Sequence, residues 1–282
     1  MVQVGGAVTL HGVVLYLAYS ADKILLGRLW GAEALGLYGR AYQLGNLPMH
    51  SLYSSLGNVA FPALSRAQAD AERLRRAFLT SYSVVVSVTI PFTISLAIFS
   101  EEIVGLMLGP KWTDAAMLLR LLAPTFLAIA LIDPFGWFLL ATGRARRYLN
   151  IALFLIAPVV ILGVVVGLRD GPTGVALGFS TAMILLVAPI VAWAKLGTGM
   201  TARDCWGALK RPLISAAVAG AAGWLFKVAG ESTLAPIVVL AFGLALTLGV
   251  HGWVLMVIMG QKDLYGDLLN QVLPRRQPVA GA

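Results

Sequence analysis

The sequence predicts an all-α polytopic membrane bundle of about eight transmembrane helices, and three observations predict it. Of 282 residues, 12% are charged and 59% hydrophobic, whereas a soluble domain carries about 25% charged and 45–50% apolar residues. The apolar residues gather in runs of roughly 20, the length that crosses a bilayer as a helix. The basic residues between those runs alternate from sparse to dense along the chain. The composition excludes a soluble fold. The runs exclude a β-barrel, whose strands are alternating segments of about ten residues. Lipid offers no partner for free backbone groups, so helices follow.

The runs lie at about 4–28, 35–62, 76–107, 114–141, 148–168, 173–194, 212–229 and 234–259, each bounded by charged, Gly or Pro residues. Met1 to Ser20 has the apolar core of a signal peptide, and Ala18-Tyr19-Ser20 resembles a cleavage site. No Lys or Arg precedes that core and further spans follow, so it reads as a retained first helix. Gly27, Gly31 and Gly36 suit a tight outer turn between the first two helices, because glycine lets backbones approach closely. Pro62 followed by Ser65 suits a helix ending at the cytoplasmic face. Residues 66–76 read as a short surface helix with Asp70 and Arg73 at i,i+3 spacing. Pro110 and Trp112 suit an interfacial turn with an aromatic anchor. Residues 198–211, with Met200, Cys205 and Trp206 among basic residues, read as a polar loop or interfacial turn. The proline-rich end 274–282 is too polar to pack. The organisation is a six-helix lobe over 1–195, a cytoplasmic connection over 196–211, a terminal helix pair over 212–259 and a cytoplasmic tail over 260–282.

The formal net charge of +8 would raise nucleic acid in a soluble protein; between apolar runs it is a topology signal and no nucleic-acid partner is expected. Arg66, Arg73, Arg75 and Arg76, then Arg144, Arg146 and Arg147, then Lys195, Arg203, Lys210 and Arg211, and finally Lys262, Arg275 and Arg276 fall on one side. The other side holds Arg28, Arg40, Lys111, Arg169 and Lys227, mixed with Glu33, Glu101, Glu102, Asp114, Asp170 and Glu231. The positive-inside rule therefore puts both termini in the cytoplasm. Cys205 has no partner for a disulfide, and His11, His50 and His251 have no ligand spacing, so neither a metal nor another cofactor is expected. No nucleophile elbow, HExxH or Walker loop is present, which argues against an enzyme and against ATP as the energy source.

Ionisable groups inside a span are functional hypotheses by default. Asp22, Lys23, Arg120 and Asp133 qualify. Neighbours in sequence lie about 100° apart on a helix, so Asp22 and Lys23 need not pair. His11, Leu15 and Asp22 share a face with Tyr19 at its edge, which suits either proton or cation handling or a pair of charges snorkelling to water. On the second span Arg40, Asn46, His50, Ser54 and Asn58 all fall within about 60° of Gln43. Such a stripe avoids lipid and faces either a cavity for a polar, anionic, hydroxyl-rich ligand or a hydrogen-bonded seam. Arg120 reads as snorkelling outward past Lys111 and Trp112. Asp133, followed by Pro134, is either functional or satisfies a helix break. Prolines inside the spans, among them Pro48, Pro91, Pro124 and Pro189, suit helices that kink around a cavity.

Several motifs stand in order. They are Asp22-Lys23-Ile24-Leu25-Leu26-Gly27-Arg28, then Gly31, Leu35-Gly36-Leu37-Tyr38, Ala41-Tyr42-Gln43-Leu44 and Pro48; later come Phe61-Pro62-Ala63-Leu64-Ser65, Leu108-Gly109-Pro110-Lys111-Trp112 and Ala141-Thr142-Gly143-Arg144. Together they resemble the polysaccharide transporter family of the multidrug/oligosaccharidyl-lipid/polysaccharide exporter superfamily, over about residues 1 to 195. The resemblance implies a flippase of two six-helix lobes plus a final helix pair, which moves polyprenyl-diphosphate-linked oligosaccharides across the bacterial inner membrane for exopolysaccharide, capsule or O-antigen assembly. It maps this chain onto the second lobe and the terminal pair, with the first lobe supplied by the same full-length chain or by a partner subunit. It makes Arg28, Arg40 and Arg120, with Lys23, the candidates to neutralise the diphosphate. Gln43, Asn46, His50, Ser54 and Asn58 would meet sugar hydroxyls. Asp22, with His11 and Asp133, would be the ion-coupling candidates, Asp133 departing from the family pattern. A drug/cation antiporter of the same superfamily would prefer an acidic cavity, which Arg40 opposes. A membrane polymerase or glycosyltransferase would need larger outward loops than these short connections. A non-transporting partner subunit is the remaining alternative.

Overall fold

The computed structural model describes residues 2–261. Lys262, Arg275, Arg276 and the tail expected beyond Gln261 lie outside them. Every regular element among the described residues is helical. Helix α1 (Val2–Ala67) turns at Gly31, whose φ of 85° and ψ of −177° end one limb and start the next. Only glycine takes that backbone without strain. The limbs, 2–30 and 32–67, meet with no intervening loop, so the outer turn expected across Gly27, Gly31 and Gly36 is a one-residue hinge. The expected surface helix at 66–76 is absent too. Asp70 ends the gap and caps α2 (Ala71–Ile98), its carboxylate accepting from the amides of Glu72 and Arg73 at 3.0 and 3.1 Å, since a capping carboxylate satisfies amides that have no intrahelical acceptor.

Beyond Phe99 the chain continues as α3 (Ser100–Met107), and α4 (Asp114–Ala141) follows a turn at Pro110–Trp112. Pro124 and Pro134 sit inside α4 and the helix continues through both, so Asp133 does not mark a break. Helix α5 (Ala145–Ile151) passes through a π turn at Ala152–Ile156 into α6 (Ala157–Gly167), and α7 (Gly171–Ala194) returns beside it. At that crossing a Cβ on Gly167 would stand 2.1 Å from the Gly174 carbonyl oxygen, and one on Gly178 would stand 2.1 Å from that of Gly163. These small residues let the two backbones touch. Helix α8 (Ala202–Gly230) opens with a reciprocal Thr201–Asp204 cap; residues 202–211, expected as loop or turn, are its first turns. Helix α9 (Pro236–Trp253) ends in a π turn at Val254–Ile258.

Helix α4 is the centre, packed on α1, α2 and α7, while α8 and α9 lie against α2. Phe78 and Tyr82 of α2 meet Phe135 and Phe138 of α4 at ring distances of 5.0 to 5.5 Å. Outward, large apolar side chains such as Phe154, Leu162 and Leu185 are more than 60% exposed, a surface that a water-facing monomer does not carry but lipid accepts. Among the described residues, five helical stretches are long and apolar enough to cross a membrane: 71–98, 114–141, 145–194, 202–230 and 236–258. The chain is a multi-pass helical membrane protein.

The terminal pair is fastened to the lobe at both ends. Near the α2 N-terminus Arg75 donates twice to Asp204 of α8, at 2.6 and 3.2 Å. At the far ends of the same helices, Lys227 of α8 donates to the Ile98 carbonyl at 3.1 Å, to Glu101 at 2.9 Å and to Glu102 at 3.1 Å. Like ends pair with like, so α2 and α8 run parallel.

Candidate functional site

The hinge at Gly31 folds α1 back on itself, and the fold brings charged residues of both limbs together. Asp22, on the first limb, is fully buried and accepts from the Tyr38 hydroxyl of the second limb at 2.7 Å. It also accepts from the Lys23 amide at 2.6 Å and faces the Lys23 ammonium at 3.7 Å. Asp22 and Lys23 therefore do pair, through a flexible lysine that reaches around the helix. The ammonium also lies 4.0 Å from the centre of the Tyr42 ring, a cation–π contact.

Beside this pair an open cavity of about 410 Å³ is lined by Lys23, Arg40, Tyr42, Gln43 and Asn46. Arg40 is exposed, donates to Gln43 at 3.4 Å and stands 6.0 Å from the Trp112 ring. Two cations thus border one opening, and the carboxylate nearby is sealed from it.

Three of the expected residues, Arg40, Gln43 and Asn46, line the cavity. His50, Ser54 and Asn58 continue the stripe along the same limb and are exposed. The Ser54 hydroxyl donates to the Ser51 carbonyl at 3.1 Å; Asn46, His50 and Asn58 have no hydrogen-bond partner within the described residues, which leaves those groups to water or a ligand. Arg28 is exposed but outside the cavity lining. Arg120 is elsewhere and occupied: it pairs with Glu101 at 2.9 Å and donates to the Ala97 carbonyl at 3.3 Å. It does not snorkel freely past Lys111, because α3 puts a carboxylate within its reach.

Of the ion-coupling candidates, Asp22 is bonded as described. His11 is buried and stacks on Tyr148 of α5 at 3.5 Å. Asp133 is half-buried and acts electrostatically on Tyr19, Tyr53 and Tyr148. Apart from Tyr19, placed at the edge of the Asp22 face, the tyrosines escaped the sequence reading as partners of a carboxylate. Their signal was present only as Tyr at positions 19, 38, 42, 53 and 148, and nothing in the spacing says which of them meets a carboxylate. Lys227 was also missed as a buried group.

A second groove, of about 370 Å³, lies between α3 and the turn joining α8 to α9, with Glu101, Glu102 and Glu231 on its wall. Lys227 and Arg120 neutralise the first two. The Lys227 hydrogen bond holds the Glu101 carboxyl below its ordinary value near 4.5.

Residues 1–117 match the family model described as "Polysaccharide biosynthesis protein". Lipopolysaccharide biosynthesis protein WzxC of Escherichia coli (strain K12) is 30% identical over 184 residues, covering 64% of this chain and 37% of that protein. Teichuronic acid biosynthesis protein TuaB of Bacillus subtilis (strain 168) is 35% identical over 129 residues, 46% of this chain and 27% of that one. Amylovoran biosynthesis protein AmsL of Erwinia amylovora is 25% identical over 170 residues, 59% and 43% respectively. The chain thus spans less than half the length of the curated relatives it matches. No solved structure matches it. With the ordered motifs, these matches make residues 1–117 similar to the family described as "Polysaccharide biosynthesis protein" and the longer stretch similar to proteins of polysaccharide biosynthesis.

Proposed function

We propose that this chain forms one wall of a flippase that moves a polyprenyl-diphosphate-linked oligosaccharide from the inner to the outer leaflet of the bacterial plasma membrane, for exopolysaccharide, capsule or O-antigen assembly. The supporting observation is the second limb of α1, where Lys23 and Arg40 border an open cavity and Asn46, His50 and Asn58 point unpartnered polar groups along the same limb. A diphosphate that gives up part of its hydration must meet cations and hydrogen-bond donors, and amides and an imidazole offer partners for the hydroxyls of a glycan. The relatives, whose names concern lipopolysaccharide, teichuronic acid and amylovoran biosynthesis, support the polymer class. The exposed stripe needs a facing wall, which another lobe in the same full-length protein or in a partner subunit supplies. Residues 1–195 act as one rocking lobe, with both termini cytoplasmic and Asp22, His11 and Asp133 as sites for a coupling ion; no step hydrolyses ATP.

The test is surface polymer in cells that depend on this protein, with membrane abundance measured in parallel. Arg40→Ala is expected to abolish export at unchanged abundance. Unchanged export removes the cavity from the transport path.

A further inference from the structure

The two charges beside the cavity are held very differently. The Asp22 carboxylate is fully buried, and two hydrogen bonds hold it without help from the ammonium, one from the Tyr38 hydroxyl at 2.7 Å and one from the Lys23 amide at 2.6 Å. The Lys23 ammonium lies 3.7 Å from that carboxylate, beyond hydrogen-bond length, and its side chain is 34% exposed. Its other contacts are a long bond of 3.4 Å to the Tyr19 carbonyl and the Tyr42 ring at 4.0 Å. The lysine is loosely held and borders the cavity, whereas the aspartate is fixed and sealed off from it. Arg40, the cavity's other cation, has no carboxylate partner among the described residues.

We propose that Asp22 is a built-in competitor for the anion that enters this cavity: Lys23 exchanges between Asp22 and the bound phosphate, so Asp22 weakens anion binding and favours release. This rests on reading the cavity as an anion site. Two unopposed cations at one opening would hold a diphosphate tightly, and conduction or transport requires binding weak enough to leave. When Lys23 turns to the ligand, Asp22 keeps its two other hydrogen bonds, so the exchange strands no bare carboxylate. When the ligand leaves, the ammonium returns to a partner already in place.

The experiment titrates inorganic pyrophosphate by calorimetry into the 282-residue chain in lipid nanodiscs at low salt. Wild type is expected to bind, and Lys23→Gln to bind about tenfold more weakly. Asp22→Asn should bind about tenfold more tightly, and the Asp22→Asn gain should vanish in the Lys23→Gln background, because the competition passes through that lysine. Unchanged or weaker binding by Asp22→Asn overturns the proposal, as does a gain that survives without Lys23. Should Asp22→Asn not fold, Tyr38→Phe provides the opposite sign: the carboxylate then leans harder on Lys23, and binding weakens about threefold. Unchanged or tighter binding by Tyr38→Phe also overturns it. Wild-type protein that shows no binding sensitive to Arg40→Gln and Lys23→Gln defeats the cavity reading itself, an outcome distinct from binding that is indifferent to Asp22.

Discussion

The second limb of α1 and the contact between α2 and α8 treat polar groups in opposite ways. Where α8 meets α2 and α3, two of its charges are answered: Asp204 by Arg75, and Lys227 by Glu101, Glu102 and a backbone carbonyl. Hydroxyls of Ser87, Thr89, Thr93 and Ser95 bond back to their own helix, and Ser215 reaches the His251 carbonyl at 2.8 Å. On the second limb of α1, Arg40 is exposed and Asn46, His50 and Asn58 are left without hydrogen-bond partners among the described residues. The same residue types make a fastening in one place and a receptive wall in the other. What decides between them is whether a neighbouring helix supplies the complement, and that is invisible on a helical wheel.

The comparison breaks first at Lys227. Lys227→Ala leaves Glu102, 8% exposed, without its cation, and loss of one member of a buried pair costs about 3–5 kcal/mol. A large fall in the thermal midpoint in detergent is expected, whereas Arg40→Ala should leave the midpoint unchanged; equal shifts would erase the distinction between fastening and wall. Accessibility sharpens it next. Cysteines at Asn46 and His50 should react with a water-soluble maleimide and one at Leu52, packed against the core, should not. Equal labelling of all three would remove the cavity.

Acid is a gentler probe. Because the folded Glu101 carboxyl is held below its ordinary value by Lys227, its contribution is present above the unfolded value near 4.5 and is lost as pH falls through the lowered folded value. The thermal midpoint should therefore drop in acid below that window, and the drop should shrink in Lys227→Met; an unchanged acid limb in the variant would remove this pair from the fastening. The smallest effect belongs to Arg120→Ala. With Arg120 43% and Glu101 50% exposed, the pair is worth about 0–1 kcal/mol, and export should continue. Loss of export at normal stability would return Arg120 to the transport path.

Much of the fold was legible because lipid imposes one rule on every segment. The run at 114–141 coincides with α4, and the alternation of basic residues marks the same side for the starts of α2 and α8 that Arg75 and Asp204 join. Local boundaries failed where a single backbone angle decided them, as at Gly31, or where a cap extended a helix into polar sequence, as Thr201 and Asp204 do. In the site, periodicity placed Arg40, Gln43 and Asn46 on one stripe. It could not find the partner of Arg120, since Glu101 lies 19 residues away on another helix. It also gave no hint of Tyr38 as the partner of Asp22. Contacts made by folding the chain back carry no periodic signature.

The two fastenings of the terminal pair also set a length. From Arg75 to Ile98 and from Asp204 to Lys227 the interval is 23 residues, which at 1.5 Å per residue is about 35 Å of helix. The hydrocarbon core of a typical bilayer is about 30 Å thick, so the spacing of the two ion-pair clusters matches the distance between the two faces of a membrane. The parallel helices α2 and α8 thus act as a gauge of fixed span. A thicker membrane would draw one ion pair into hydrocarbon, and the bundle would have to tilt upright or thin the lipid around it; hydrophobic mismatch would be felt first where this molecule is most firmly joined.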